Sequence, residues 1–199
     1  MASDEPLGEV RFGRTAIVTT TGDLLEQGVE AVVVAANCRG MMGAVSTAGL
    51  PGLRSFGGSA IEREAMGRAP LDLGSALVTG ATGLDSLGIQ AVVHAVIHPT
   101  LGGATRIEHL RRAVGAVAVA ADSARLRTIA MPLLGIESDS ARAEPEVFIN
   151  AVVDELIGCL RRGVVRLDRV VLVCRFEHHR LLVSHRLAWA RERAWTRSL

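Results

Sequence analysis

Two stretches of this 199-residue chain place small and polar residues directly behind aliphatic runs. The first is Ala36-Asn37-Cys38-Arg39-Gly40-Met41-Met42-Gly43, which continues through Ala44, Ser46, Thr47 and Ala48 to Gly49. The second is Pro132-Leu133-Leu134-Gly135-Ile136-Glu137-Ser138-Asp139. A third polar position, Asp23, follows Gly22 and precedes Leu24-Leu25. Without any ligand, Asp23 suits a helix N-cap and Asn37 suits a tight turn ending a strand. The other chemically active groups are scattered. Cys38, Cys159 and Cys174 show no CxxC spacing, so neither a disulfide framework nor a zinc site is indicated. His178, His179 and His185 lack the i, i+4 spacing of a helical metal site and read as a solvated helix face. His94 lies inside a strand-like run as a hydrogen-bonded core histidine, and His98, before Pro99, is placed to line a cleft. Glu62 and Glu64 read as a solvated face of a helical segment. No catalytic residue, metal or cofactor is assigned.

The elements that must position these groups follow from hydrophobic periodicity. Short strand-like runs cover 9–12 and 15–20, with Gly13-Arg14 as the turn between them. The run 31–36 is apolar at every residue, the pattern of a strand buried on both faces. A helical stretch starts near Pro51, breaks near Gly57-Gly58 and resumes over 59–66, where Ser59 and Glu62 have capping-box spacing. Strands are expected at 75–79, 91–97, 128–134 and 169–174, and helices at 106–121, 144–160 and 177–195. Strands alternating with helices predict one α/β domain over 1–199. Its form is a three-layer α/β/α sandwich around a mixed, mostly parallel sheet of about six or seven strands. In such sheets ligands sit at the carboxyl ends of the strands, where both polar loops fall.

Bulk composition narrows the classes. Apolar residues make up 49% and aromatic residues 3%, so aliphatic side chains must build the core. The formal charge is +1 and every basic side chain is arginine, a balance that argues against nucleic-acid binding or a membrane-attracted surface. The first residues are polar and acidic, the reverse of a signal peptide, and no apolar run reaches membrane-spanning length. A cytoplasmic protein is the expectation. Leu181, Leu182, Leu187 and Trp195 on the last helix read as core or as a self-association contact.

Five segments in order resemble the macrodomain family. Gly22-Asp23-Leu24 with 29–37 (VEAVVVAAN) resembles its opening Gly-Asp-Ile and Asp-Ala-Ile-Val-Asn-Ala-Ala-Asn. The segments 74–79 (GSALVT), 92–96 (VVHAV) and 128–133 (TIAMPL) resemble its Gly-Glu-Ala-Val-Ile-Thr, Val-Ile-His-Thr-Val and Ser-Ile-Ala-Phe-Pro-Leu strands. The resemblance runs from about Gly22 to Cys174. It implies an ADP-ribose site in which Asp23 accepts a hydrogen bond from the adenine amino group and Leu24 adjoins it. Asn37 would contact the distal ribose. Backbone amides around Gly43, Gly49, Gly135, Ile136, Glu137 and Ser138 would wrap the diphosphate, where glycine admits close approach and positive φ.

Both loops depart from the family pattern. The first carries an insertion between Asn37 and Gly58, with its helix start set either at Gly52-Leu53 or at Val45 and Ala48. The second carries two carboxylates, Glu137 and Asp139; the family has a glycine near Glu137 or Ser138, and an aromatic residue where Glu137 or Ser138 stands. A bare carboxylate about 4 Å from a phosphate costs roughly 4 kcal/mol at an effective dielectric near 20. Micromolar affinity is worth only about 8 kcal/mol. Three readings therefore stay open: a module binding ADP-ribose, a related nucleotide or an ADP-ribosylated protein; a scaffold that has lost the nucleotide and acts through protein contacts or self-association; and an ADP-ribosyl hydrolase. The last lacks the first-loop aspartate of one hydrolytic branch and the glutamate pair of another.

Overall fold

The computed structural model describes residues 8–42, 53–100, 102–138, 141–142, 144–163 and 165–195. Seven strands form one sheet: β1 (Glu9–Phe12), β2 (Thr15–Thr21), β3 (Ala31–Asn37), β4 (Ala76–Gly80), β5 (Ala91–His98), β6 (Thr128–Pro132) and β7 (Arg169–Cys174). Their order across the sheet is β1-β2-β7-β6-β3-β5-β4. The five inner strands run parallel, and β1 and β4 pair antiparallel at the two edges. Four longer helices complete the layers: α1 (Ser59–Met66), α2 (Ile107–Ser123), α3 (Pro145–Arg161) and α4 (Glu177–Trp195).

The burial pattern explains why these runs are strands. In β3, Ala31, Val33 and Ala35 pack with α2 and α3 in one apolar cluster, while Val32 and Val34 join the opposite cluster under α1. Both faces are dry, so an uninterrupted aliphatic run is required. The same alternation in β5 sends Val93, Ala95 and Ile97 to the first cluster and Val92 to the second. Beyond α1, the second cluster is closed by Leu24 and Leu25 of a short 3₁₀ turn and by Leu84 and Ile89. The mixed α/β/α sandwich anticipated from the sequence is the architecture found.

Local differences have physical causes. β6 stops at Pro132, two residues before the expected end, because Leu133 and Leu134 turn inward and are buried in the loop. Ser59 does not cap a helix. The chain enters α1 through a π-helical turn (Arg54–Gly58) in which Gly57 has a φ of 134°, and the N-cap is Gly58, without a side-chain bond. Glu62 is thus released from the capping box and reaches back to another loop. Leu187 belongs to the core and Leu181 is exposed, while the side chain of Trp195 lies outside the described residues.

His94 is fully buried in β5 with Nε2 2.9 Å from the Thr79 hydroxyl on β4, and its Nδ1 has no partner. Burial, helped by the positive charge of Arg68, lowers its pKa from 6.5 to about 4. Between these values the unfolded chain takes up the proton that the folded chain refuses. The stabilisation is therefore complete above pH ~6.5 and is lost as pH falls toward 4, an effect of about 3 kcal/mol for a single group. Urea unfolding near pH 7 and near pH 4.5 should show this loss, and His94→Gln should remove most of it. An unchanged pH dependence in that variant would assign the acid sensitivity to other groups.

Candidate functional site

The parallel strands end side by side, and their order decides which loops meet. Across the carboxyl edge of the sheet come the turn after β2, the turn after β7, the loop after β6 and the turn after β3. These carry Asp23, Arg175 and Phe176, residues 135–138, and Asn37. From β2 to β3 is three strand spacings, about 14 Å. Groups far apart in the chain thus form one row.

Asp23 caps the 3₁₀ turn Leu24–Glu26. Its Oδ1 accepts from the Leu25 amide at 2.8 Å, and the side chain is half-buried. The capping role expected without a ligand is real. It uses one carboxylate oxygen, and the other makes no hydrogen bond among the described residues. The Leu24 side chain is fully buried in the core, so only its backbone can face the cleft.

Asn37 is the last residue of β3 and is 2% exposed. Its Oδ1 accepts from the amides of Arg39 (2.9 Å) and Met41 (3.1 Å), and its own amide donates to the Met41 carbonyl. One side chain therefore folds the whole turn. Its Nδ2 is buried with no hydrogen-bond partner among the described residues. Gly40 completes the turn at a φ of 76°, where an added Cβ would lie 2.5 Å from the carbonyl carbon of Ala65 on α1. Glu62 of α1 accepts from the Met42 amide at 2.8 Å, and Glu64 accepts from Gly80 at 3.0 Å and pairs with Arg68. Both glutamates staple α1 to its neighbours and do not simply face solvent, which corrects the sequence expectation. Their spacing turns them to two flanks of one short helix. Gly43 and Gly49 lie outside the described residues, as does the insertion that carries them.

The loop after β6 is held from within. Gly135 has a φ of 76°, Ser138 donates its amide to the Gly135 carbonyl, and the Ser138 hydroxyl accepts from the Ala141 amide at 3.2 Å. Ser138 is thus a cap of the following turn. Glu137 forms an ion pair with Arg175, Nη1 to Oε1 3.3 Å, across the ends of β6 and β7. The carboxylate that threatened to repel a phosphate is therefore compensated. Asp139 lies outside the described residues.

Arg175 and Phe176 are the site candidates that sequence reasoning missed. Phe176 is 46% exposed, with the Arg175 guanidinium 5.2 Å from its ring centre and His178 stacked on it at 5.5 Å. The signal was present, since an aromatic residue two positions past a buried strand has no core to join. Ile136, Glu137, Arg142, Phe176, His178 and His179 line a half-open groove of about 250 Å³. Neither Asp23 nor Asn37 reaches it, so the groove is one end of the row of strand ends and does not cover the whole of it. His178 is exposed, but His179 is half-buried with an unpartnered Nδ1, which modifies the solvated-face reading. Burial and the neighbouring His178 lower the His179 pKa.

Other candidates separate from the cleft chemistry. His98 Nδ1 lies 2.9 Å from the Gly103 carbonyl and 3.0 Å from the Thr105 hydroxyl, which ties down its own loop, and burial lowers its pKa. Burial pushes the Cys174 thiol up to about 12, which keeps it protonated near neutral pH. No helix of the described residues is long and apolar enough to cross a membrane.

A family model described as Macro domain matches residues 33–144. An uncharacterized protein of Aquifex aeolicus is 31% identical over 141 residues, covering 70% of this chain and 80% of that protein. One of Aeropyrum pernix is 34% identical over 124 residues, 62% of each chain. Among solved structures, an Oceanobacillus iheyensis macrodomain with ADP superposes with a TM-score of 0.75 at 15% identity, over 93% of this chain and 96% of that one. A Trypanosoma brucei macrodomain in complex with ADP-ribose gives 0.67 at 18% identity, over 85% and 68%.

Asn37→Ala strands two turn amides and should lower stability by about 1–3 kcal/mol. Asn37→Asp keeps an acceptor for both and should retain the fold while replacing the buried donor. Gly40→Ala should cost more than about 2 kcal/mol, from positive φ and overlap with α1. Denaturant midpoints of the three variants give these values directly. Equal stability of Gly40→Ala and the parent would show that the turn is not packed against α1 as described.

Proposed function

This chain belongs to the macro domain family, and on that premise we propose that it binds ADP-ribose, free or attached to a protein, along the strand ends from Asp23 to Asn37. The observation that carries the reading is Asn37. Its oxygen is committed to the turn while its amide nitrogen is a buried donor without a partner, and buried donors are normally satisfied. A ribose hydroxyl accepting from that nitrogen would complete it. At the other end, the open carboxylate oxygen of Asp23 is an acceptor for an exocyclic amine, and half-exposed Phe176 at the neighbouring strand end offers aromatic surface for the base once Arg175 or His178 gives way. Between them the backbone amides of Gly135 and Glu137 are the donors left over by the loop's own hydrogen bonds, since those of Ile136 and Ser138 are used within it, and the charge of Glu137 is offset by Arg175.

The pairing of Glu137 weakens one of the motives for the scaffold reading, because a compensated carboxylate does not close the cleft to a diphosphate. Self-association is a proposal that rests on the exposed α4 residues Leu181 and Trp189 alone. Hydrolysis finds no support at Glu62, whose carboxylate is engaged by the Met42 amide.

Calorimetric titration with ADP-ribose tests the assignment. Micromolar binding is expected, weakened about tenfold or more by Asp23→Asn, since asparagine caps a helix as well as aspartate but cannot offer acceptors on both sides. Phe176→Ala should weaken binding by a similar factor, the loss of one stacking face. Absence of heat and of any thermal shift in the parent protein would return the scaffold reading to first place.

A further inference from the structure

The ion pair at the mouth of the cleft joins two residues with different affinities for the proposed ligand. Arg175 is the first residue past β7, and β7 lies between β2, which leads to Asp23, and β6, which leads to residues 135–138. A ligand running from Asp23 to Asn37 must cross this strand end before it reaches the loop of backbone amides. Arg175 is 46% exposed and Glu137 32%, and the Arg175 guanidinium also lies over the face of Phe176. The cation is thus held beside both the base-stacking candidate and the loop suited to phosphate. Its partner is a carboxylate, the chemical relative of the phosphate it would meet.

We propose that Arg175 is the phosphate-recognising side chain of the cleft and that Glu137 competes with the ligand for it, so that the pair selects nucleotides carrying a diphosphate. This rests on the nucleotide-binding reading above. An exposed pair of this kind is weak enough to be exchanged, whereas a guanidinium gripping phosphate oxygens in two-pronged fashion is stronger. On binding, Arg175 turns from the carboxylate to the diphosphate, and Glu137 is left to the solvent of the open groove that it lines. A nucleoside, lacking phosphate, has no means of drawing the arginine away. Glu137 therefore sets a threshold for ligand charge and is not simply a leftover obstacle.

The test is a set of calorimetric titrations of the full chain, Glu137→Gln, Arg175→Met and the double variant, each with ADP-ribose and with adenosine. Thermal melts check that every variant is folded. Glu137→Gln should bind ADP-ribose about threefold more tightly, and Arg175→Met about tenfold more weakly. The double variant should match Arg175→Met, and adenosine affinity should not change in any of them. The gain in Glu137→Gln should shrink as salt is raised. If the parent binds ADP-ribose but Glu137→Gln binds it equally or less well, the competition is overturned while the nucleotide site stands. Equal weakening of both ligands by Arg175→Met would reduce Arg175 to a structural prop and also overturn it. If none of the four proteins binds ADP-ribose, the nucleotide reading falls and this inference falls with it.

Discussion

The side-chain amide of Asn37 sits where a buried strand has to stop and turn. β3 is covered on both faces, so the chain cannot leave the sheet by exposing polar backbone to water along the way. The oxygen of Asn37 accepts from two amides within four residues and so reverses the chain inside the protein. The return is tight enough that Ala36 and Met42 pair, and Met42 is then fixed to α1 through Glu62. Gly40 lets the reversed chain lie directly on the last turn of that helix. Loop, helix and strand end form one unit, and the orphaned nitrogen of Asn37 is held in place by everything around it.

Electrostatics divides the two ends of the sheet. At the amino ends of the strands, arginines are spent on backbone carbonyls and on single acids: Arg127 on the Arg166 carbonyl, Arg169 on that of Gln27, and Arg14 on Asp168. Glu30 there accepts from the Thr128 amide and from Arg127. These contacts close open backbone groups and leave little to exchange. At the carboxyl ends the Glu137–Arg175 pair, less exposed than Arg14–Asp168, again joins two separate loops, but here at the row of strand ends.

Much of the architecture was legible because periodicity and burial coincide: a strand dry on both faces has to be written in aliphatic residues, as 31–36 is. The cap at Asp23 and the turn at Asn37 were legible too, since a short acceptor after a glycine or at the end of an apolar run has few conformations open to it. What could not be read were the relations between distant side chains. Glu137 looked like a liability because Arg175 is 38 positions away and nothing local says that the two meet. Glu62 looked solvated because its partner, the Met42 amide, is 20 positions earlier on a turn whose path depends on Gly40. The insertion of β7 between β2 and β6 was equally hidden, because strand order is a property of the assembled sheet and leaves no mark in any single run.

That strand order gives the cleft a peculiar history. β2 is formed near the beginning of the chain, yet its lateral partner on the cleft side is β7, and the bond from Arg14 to Asp168 spans 154 positions. During synthesis every other strand of the sheet emerges before β7 does. Until it arrives, β2 has no strand partner on the side facing β6, and the row of strand ends has a gap in the middle. A nascent chain would carry the residues at both ends of the row and still lack a place for the ligand to lie across. Recognition then becomes a property of completion: a ligand held by this row stabilises the finished sheet and nothing short of it.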